Sequence, residues 1–118
     1  MKEKMRKFLK ILRVELEDLE EDMELLIDLH REKEQKRVIT PYVCMENIGL
    51  IKNEISAVKR IIQSIENVGI DEYNNIEELT EHINNIFKKQ IKESDYPDSI
   101  YFFVKRKLDK VKKYIEER

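Results

Sequence analysis

Tryptophan is absent, cysteine occurs once, and glycine and proline occur twice each in 118 residues. Each scarcity excludes something. One thiol can form no intrachain disulfide and no multi-cysteine zinc centre. It suits a reducing compartment, so a cytoplasmic location is expected. Two glycines cannot build a glycine-rich phosphate loop. So few turn-forming residues also argue against a strand-rich fold. The longest apolar run is IYFFV, Ile100–Val104, too short to span a membrane. The opening MKEKMRKFLK is charged from its second residue and does not read as a secretory signal. A net charge of −2 gives no global bias toward nucleic acid or anionic lipid.

What is present is charge and aliphatic side chain. Charged residues make up 41% and hydrophobic residues another 41%, the mixture found in bundles and coiled coils. In the first segment Met5, Leu9, Leu12, Leu16, Leu19, Met23, Leu26 and His30 alternate four- and three-residue steps, a heptad seam. Phe8, Ile27 and Leu29 widen it. The spacing predicts a helix over 3–36. Cys44, Ile48, Ile51, Ile55, Val58, Ile62 and Ile65 repeat the pattern and predict a second helix over 41–68. Thr40 suits its N-cap and Pro41 its first turn. Gly69 suits a left-handed closing position, with Ile70 reaching back to Ile65 as in a Schellman ending.

Two shorter helices follow. Asn75 and Glu78 make a capping box for a helix over 75–93, lined by Ile76, Leu79, Ile83, Ile86, Phe87 and Ile91. SDYPDS interrupts, because the residue before a proline avoids helical angles. The last helix, 97–117, carries Ile100, Tyr101, Phe103, Val104, Leu108, Val111, Tyr114 and Ile115, a face broad enough for two neighbours. The expectation is one all-α domain over 1–118: an up-down antiparallel helical bundle, with a long hairpin (3–68) and two shorter helices. The short pair cannot cover the whole hairpin, so part of its apolar surface faces water or a second chain.

The stretch LHREKEQKRVITPYVC, Leu29–Cys44, raises the question of a His30–Cys44 pair at the hairpin end. Such a pair could bind metal or activate a thiol. No third or fourth ligand accompanies it, and the stretch reads as a turn.

The acidic block 14–28 contains no Lys or Arg. Within it Glu20, Glu21 and Glu24 spell E-E-x-x-E. The fragment resembles the first half of the Mg²⁺-binding motif of MazG-like nucleotide pyrophosphohydrolases. That resemblance implies a second pair, E-x-x-D, on the next helix, because several oxygens must neutralise a metal-bound triphosphate. Here helix 2 offers only Glu46, Glu54 and Glu66. LRVELEDLEEDMELLIDLHR, Leu12–Arg31, is similar to the first helix of the helical chorismate mutases, whose cationic side chains hold a dicarboxylate. Arg13 fits that pattern, but His30 and Pro41 stand where two further cations belong. Neither histidine has an Arg at the upstream spacing of helix-bundle ribonucleases, and no E-x-x-H pair suggests a di-iron bundle.

Basic residues cluster at 1–13 and on helix 4, where Lys105, Arg106, Lys110 and Lys113 form a candidate binding surface. Phosphate contact is one use of such a face. Pairing with the acidic middle of helix 1 is another. The reading is a non-enzymatic interaction protein without cofactor, a regulator or adaptor and a homodimer. The alternatives are a Mg²⁺-dependent nucleotide hydrolase using Glu20, Glu21 and Glu24, and a nucleic-acid module using helix 4.

Overall fold

The computed structural model describes residues 2–117. Its regular elements are α1 (Lys2–Gln35), α2 (Pro41–Glu66), a short 3-10 turn (Ile70–Glu72), α3 (Ile76–Glu93) and α4 (Asp98–Glu116). No strand occurs among the described residues. The protein is an all-α helical bundle of two long helices and two shorter ones.

Local chemistry sets the helix ends. The Thr40 hydroxyl accepts the Val43 N–H at 3.2 Å, and Pro41 follows where no amide hydrogen is needed. The Asn75 side chain accepts the Glu78 N–H at 2.8 Å, while the Glu78 carboxylate takes the Asn74 N–H at 3.0 Å. The left-handed closing residues are not glycines. Arg37 (φ 59°) and Asp95 (φ 54°) hold those positions. Val38 N–H reaches Lys33 C=O at 2.8 Å and Arg37 N–H reaches Glu34 C=O at 2.9 Å, the two bonds of a Schellman ending. Tyr96 N–H to Ile91 C=O, at 3.1 Å, closes α3 in the same way.

The ending expected at Gly69 does not form. α2 stops at Glu66, and Gly69 is extended, with φ −91° and ψ 124°. The physical reason is tertiary. Val68, Ile70 and Tyr73 all pack against the core, and an extended link lets the chain present them in succession. Lys2 then pairs with Asp71 at 2.7 Å.

α1 and α2 form an antiparallel hairpin. Its ion pairs give the register: Arg13 with Glu66 at 3.1 Å and Glu20 with Lys59 at 3.5 Å. α3 returns along α2. Gln90 donates to Ser64 at 2.8 Å, Arg60 donates to Ser94 at 3.2 Å, and the Ser56 and Tyr96 hydroxyls lie 3.2 Å apart. α4 runs back beside α3 and α1. Tyr101 donates to Asn84 at 2.9 Å, and Lys107 and Lys110 reach Glu15 at 3.2 and 2.7 Å. Glu15, at the start of the acidic block of α1, thus meets α4 within one chain.

One hydrophobic cluster runs through all four helices. Phe8, Leu12, Leu16, Ile61, Phe87, Ile100 and Val104 are its sealed centre. The buried row of α1 keeps Met5, Leu12, Leu16 and Met23 of the expected seam and departs from it elsewhere. Phe8 is buried where Leu9 is only partly so, and Ile27 is buried while Leu26 is 45% exposed. A straight α-helix has 3.6 residues per turn, so a seven-residue repeat slides across its surface by about 20° per heptad. Over α1 that drift moves the contact from one column of the pattern to the next. In α4, Tyr101 is partly buried, but Phe103 and Tyr114 lie on the exposed margin.

The extents are 54 × 30 × 18 Å and the radius of gyration is 16.6 Å, against about 13.5 Å for a compact chain of this length. The elongation has one source: α3 and α4 cover only half of the hairpin. Their shared turn lies level with Ser56 of α2. Beyond it the remainder of α1 and α2 projects as a two-helix arm.

Candidate functional site

The arm is the feature that hydrophobic burial does not explain. Among the described residues twelve large apolar side chains are exposed, and eight lie between 25 and 50: Leu25, Leu26, Leu29, Val38, Tyr42, Val43, Met45 and Leu50. A monomer scatters such residues singly; a contiguous group marks a contact surface.

Helical spacing shows how the group is arranged. On α1, residues 11, 15, 22, 26, 29 and 33 share one flank, because three- and four-residue steps return to the same side of a helix. On α2 the matching row is 43, 47, 50, 54, 57, 61 and 65. In the base half both rows are covered. Ile11 packs against the core, Glu15 is held by α4, and Ala57, Ile61 and Ile65 are buried. In the arm the same rows carry Leu26, Leu29, Val43 and Leu50, all exposed. The bare face therefore continues the face on which α3 and α4 lie. Tyr42 and Met45 sit further round α2 beside Gly49, where with Glu46 and Leu50 they line a shallow open notch.

Charge is graded along the bare face. Asp22 and Glu54 lie at its foot, near the end of the short helices. Lys33, Lys36 and Arg37 lie at its tip, where Lys36 is paired with Glu32 at 2.8 Å. Partial burial raises the Glu54 carboxyl above the ordinary glutamate range, and no cation pairs with it among the described residues.

The arm holds itself together with little polar chemistry. Met23, Ile27, Cys44 and Ile51 are buried between its helices. One hydrogen bond between its helices is seen among the described residues: the Cys44 thiol donates to the His30 carbonyl at 3.5 Å. So His30 and Cys44 do meet at the hairpin end, through backbone rather than ring. The His30 Nδ1 atom is buried without a hydrogen-bond partner. Burial, then the neighbouring Glu34, pushes the Cys44 thiol upward and away from a reactive thiolate. His82 stacks at 5.3 Å on Tyr73, remote from this end.

No family model, curated protein or solved structure matches this chain.

The other sequence candidates fall elsewhere. Glu20 leans toward α2 and its Lys59, whereas Glu21 and Glu24 are exposed. No group of three or more His, Cys, Asp or Glu placed to hold a metal is found among the described residues. On α4, Lys105 pairs with Asp109 at 2.8 Å and Lys110 with Glu15 at 2.7 Å. Lys113 lies 4.0 Å from Glu117, and Arg106 is exposed. Part of this basic face is thus engaged within the chain. Together Lys107 and Lys110 hold the Glu15 carboxyl below the ordinary range, the Lys110 hydrogen bond contributing most.

Sequence reasoning expected uncovered hairpin surface but placed it on the heptad seam. The seam in the arm is mostly sealed: Leu26 of the seam is exposed, and Leu29, Val43 and Leu50 flank it. Val43 and Leu50 were the available signal: large apolar residues one position off the helix 2 seam, beyond the reach of the short helices. No helix among the described residues is long and apolar enough to cross a membrane.

Proposed function

We propose that this chain is a non-enzymatic interaction protein, a regulator or adaptor, which engages its partner through the bare face of the hairpin arm. One observation supports the reading: where nothing covers them, the rows that α3 and α4 cover in the base still carry Leu26, Leu29, Val43 and Leu50, set between Asp22, Lys33, Asn47 and Glu54. A second pair of helices laid on that face would repeat the base's own packing. Each exposed Leu or Val offers on the order of 100 Å². Leu26, Leu29, Val43 and Leu50 together leave roughly 350 Å² bare, within the range of the largest patch on a monomeric protein.

The test is affinity capture from a lysate of the native cells, comparing the wild-type chain with the Leu26→Glu, Leu50→Glu variant. Both residues are exposed, so the helical circular dichroism spectrum stays the same. Proteins retained by the wild type and lost with the variant are the expected result. Equal capture by both would remove the arm from the proposal. Retention of a mixed-sequence oligonucleotide that falls steeply with salt and with Arg106→Ala and Lys113→Ala would favour α4 as a nucleic-acid surface instead.

A further inference from the structure

We infer that the occupant of the bare face is a second copy of this chain, laid antiparallel about a twofold axis, so that two arms build a four-helix bundle between them. The inference rests on the arm being an interaction surface and adds the identity and direction of its partner.

Three observations carry it. The first is shape. The arm is a two-helix hairpin whose seam is mostly sealed and whose side continuous with the α3–α4 face exposes Leu26, Leu29, Val43 and Leu50. A twofold partner presents the same side, and two such hairpins close a four-helix core without any further element. In the base, this chain solves the same problem with α3 and α4.

The second is steric, and it fixes direction. α3 and α4 stand on the same side as the bare face and rise above it by about one helix diameter, some 10 Å. If two hairpins met with their tips together, both short-helix layers would occupy the same space. Turned tip to foot, each arm enters the gap left by the partner's short helices, and its tip abuts the partner's α3–α4 turn.

The third is charge. Tip to foot, Lys33 and Arg37 of one copy come beside the Asp22 and Glu54 end of the other. Leu26, Leu29, Val43 and Leu50 meet in between. Within one copy the two ends are separated by α2 residues 41–54, about 20 Å of helix, so Glu54 and the tip cations cannot pair there. A partner cation beside Glu54 answers a carboxylate left half-buried and unpaired. The apolar area per copy is a little under half of the roughly 800 Å² that each partner gives to a standard interface, so the polar rim and the tip against the partner's α3–α4 turn must supply the rest.

The test is sedimentation velocity on the full chain, from about 1 μM to about 1 mM. Wild type is expected to pass from monomer to dimer in that range. Leu26→Glu with Leu50→Glu is expected to weaken the dimer at least about 100-fold, with the helical spectrum retained. Charge exchange then tests direction. Lys33→Glu with Arg37→Glu, and separately Glu54→Lys, should each weaken the dimer by about tenfold. The three together should recover it, because the reversed charges meet again only between copies.

A wild-type monomer at every concentration overturns the inference. So does a dimer indifferent to Leu26 and Leu50, or failure of the triple exchange to recover association. The arm reading is separable. A monomer whose capture of other proteins still depends on Leu26 and Leu50 removes the second copy and leaves the interaction surface. Indifference of both self-association and capture removes both.

Discussion

The base and the arm of this molecule use the same two helices and arrive at different states. In the base, Ile61 of α2 is completely buried. Eleven residues earlier on the same flank, Leu50 is 56% exposed. Neither propensity nor local pattern separates the two positions. The difference is whether α3 and α4 reach them. The base also has interhelical polar ties, through Ser56, Arg60, Ser64 and Glu15, whereas the arm has the Cys44 thiol alone. A helix can therefore be structural along one half and available along the other, and the short helices set the boundary.

Substitutions can break this comparison or sharpen it. The largest effect is expected from Ile61→Ala, which opens a cavity in the covered half. It should cost about 2–5 kcal/mol in urea denaturation. Leu50→Ala, on the same row, should cost under about 1 kcal/mol in dilute monomer, and an equal loss at the two positions would erase the distinction drawn here. Removing the caps comes next. Thr40→Ala and Asn75→Ala should each cost about 1 kcal/mol. Hydrogen exchange should place the Thr40 effect at the arm tip and the Asn75 effect in the base. Gly49 sits in the interior of α2 with nothing within 4 Å of an added methyl group. Gly49→Ala should stabilise the helix by about 0.5–1 kcal/mol, read as a raised melting temperature.

The smallest effects concern pH. The folded-state pKa of Glu54 is raised, so the folded chain holds that proton more tightly than the unfolded one. Stability from this group is then greatest below the ordinary glutamate range, and it is lost as pH rises through the raised value. Glu54→Gln should remove this dependence and leave the chain slightly more stable at neutral pH. Glu15 behaves in the opposite way. Its folded pKa is lowered, so its contribution is present above the ordinary range and disappears as pH falls through the lowered value. Glu15→Gln should flatten the acid limb of the stability curve by under about 1 kcal/mol, because Lys110 is largely solvated.

Much of the architecture was legible in advance. The Thr40–Pro41 start, the Asn75 cap and the break at SDYPDS mark helix ends by local chemistry, and the structure places the ends within two residues of the expected ones. The Gly69 ending was misread because tertiary contacts of Val68 and Ile70 chose the backbone there. Arg37 and Asp95 were not anticipated as left-handed residues, since neither lacks a Cβ. The inward face of α1 was legible at Met5, Leu12, Leu16 and Met23 and missed at Leu9 and Leu26, because a heptad pattern ignores the drift of a straight helix. The bare flank was legible in kind, as hairpin surface too long to cover. It was not legible residue by residue. Only the position of the α3–α4 turn decides that Ile61 is hidden and Leu50 is not.

The solitary thiol of Cys44 has a consequence of its own. It is sealed at the far tip, at 2% exposure, and no other sulfhydryl competes with it for a reagent. Its alkylation rate is a clock for the tip's breathing, readable by mass alone and blind to fluctuations of the four-helix half. A ligand that clasps the tip, whatever its nature, should slow that clock without touching the sulfur.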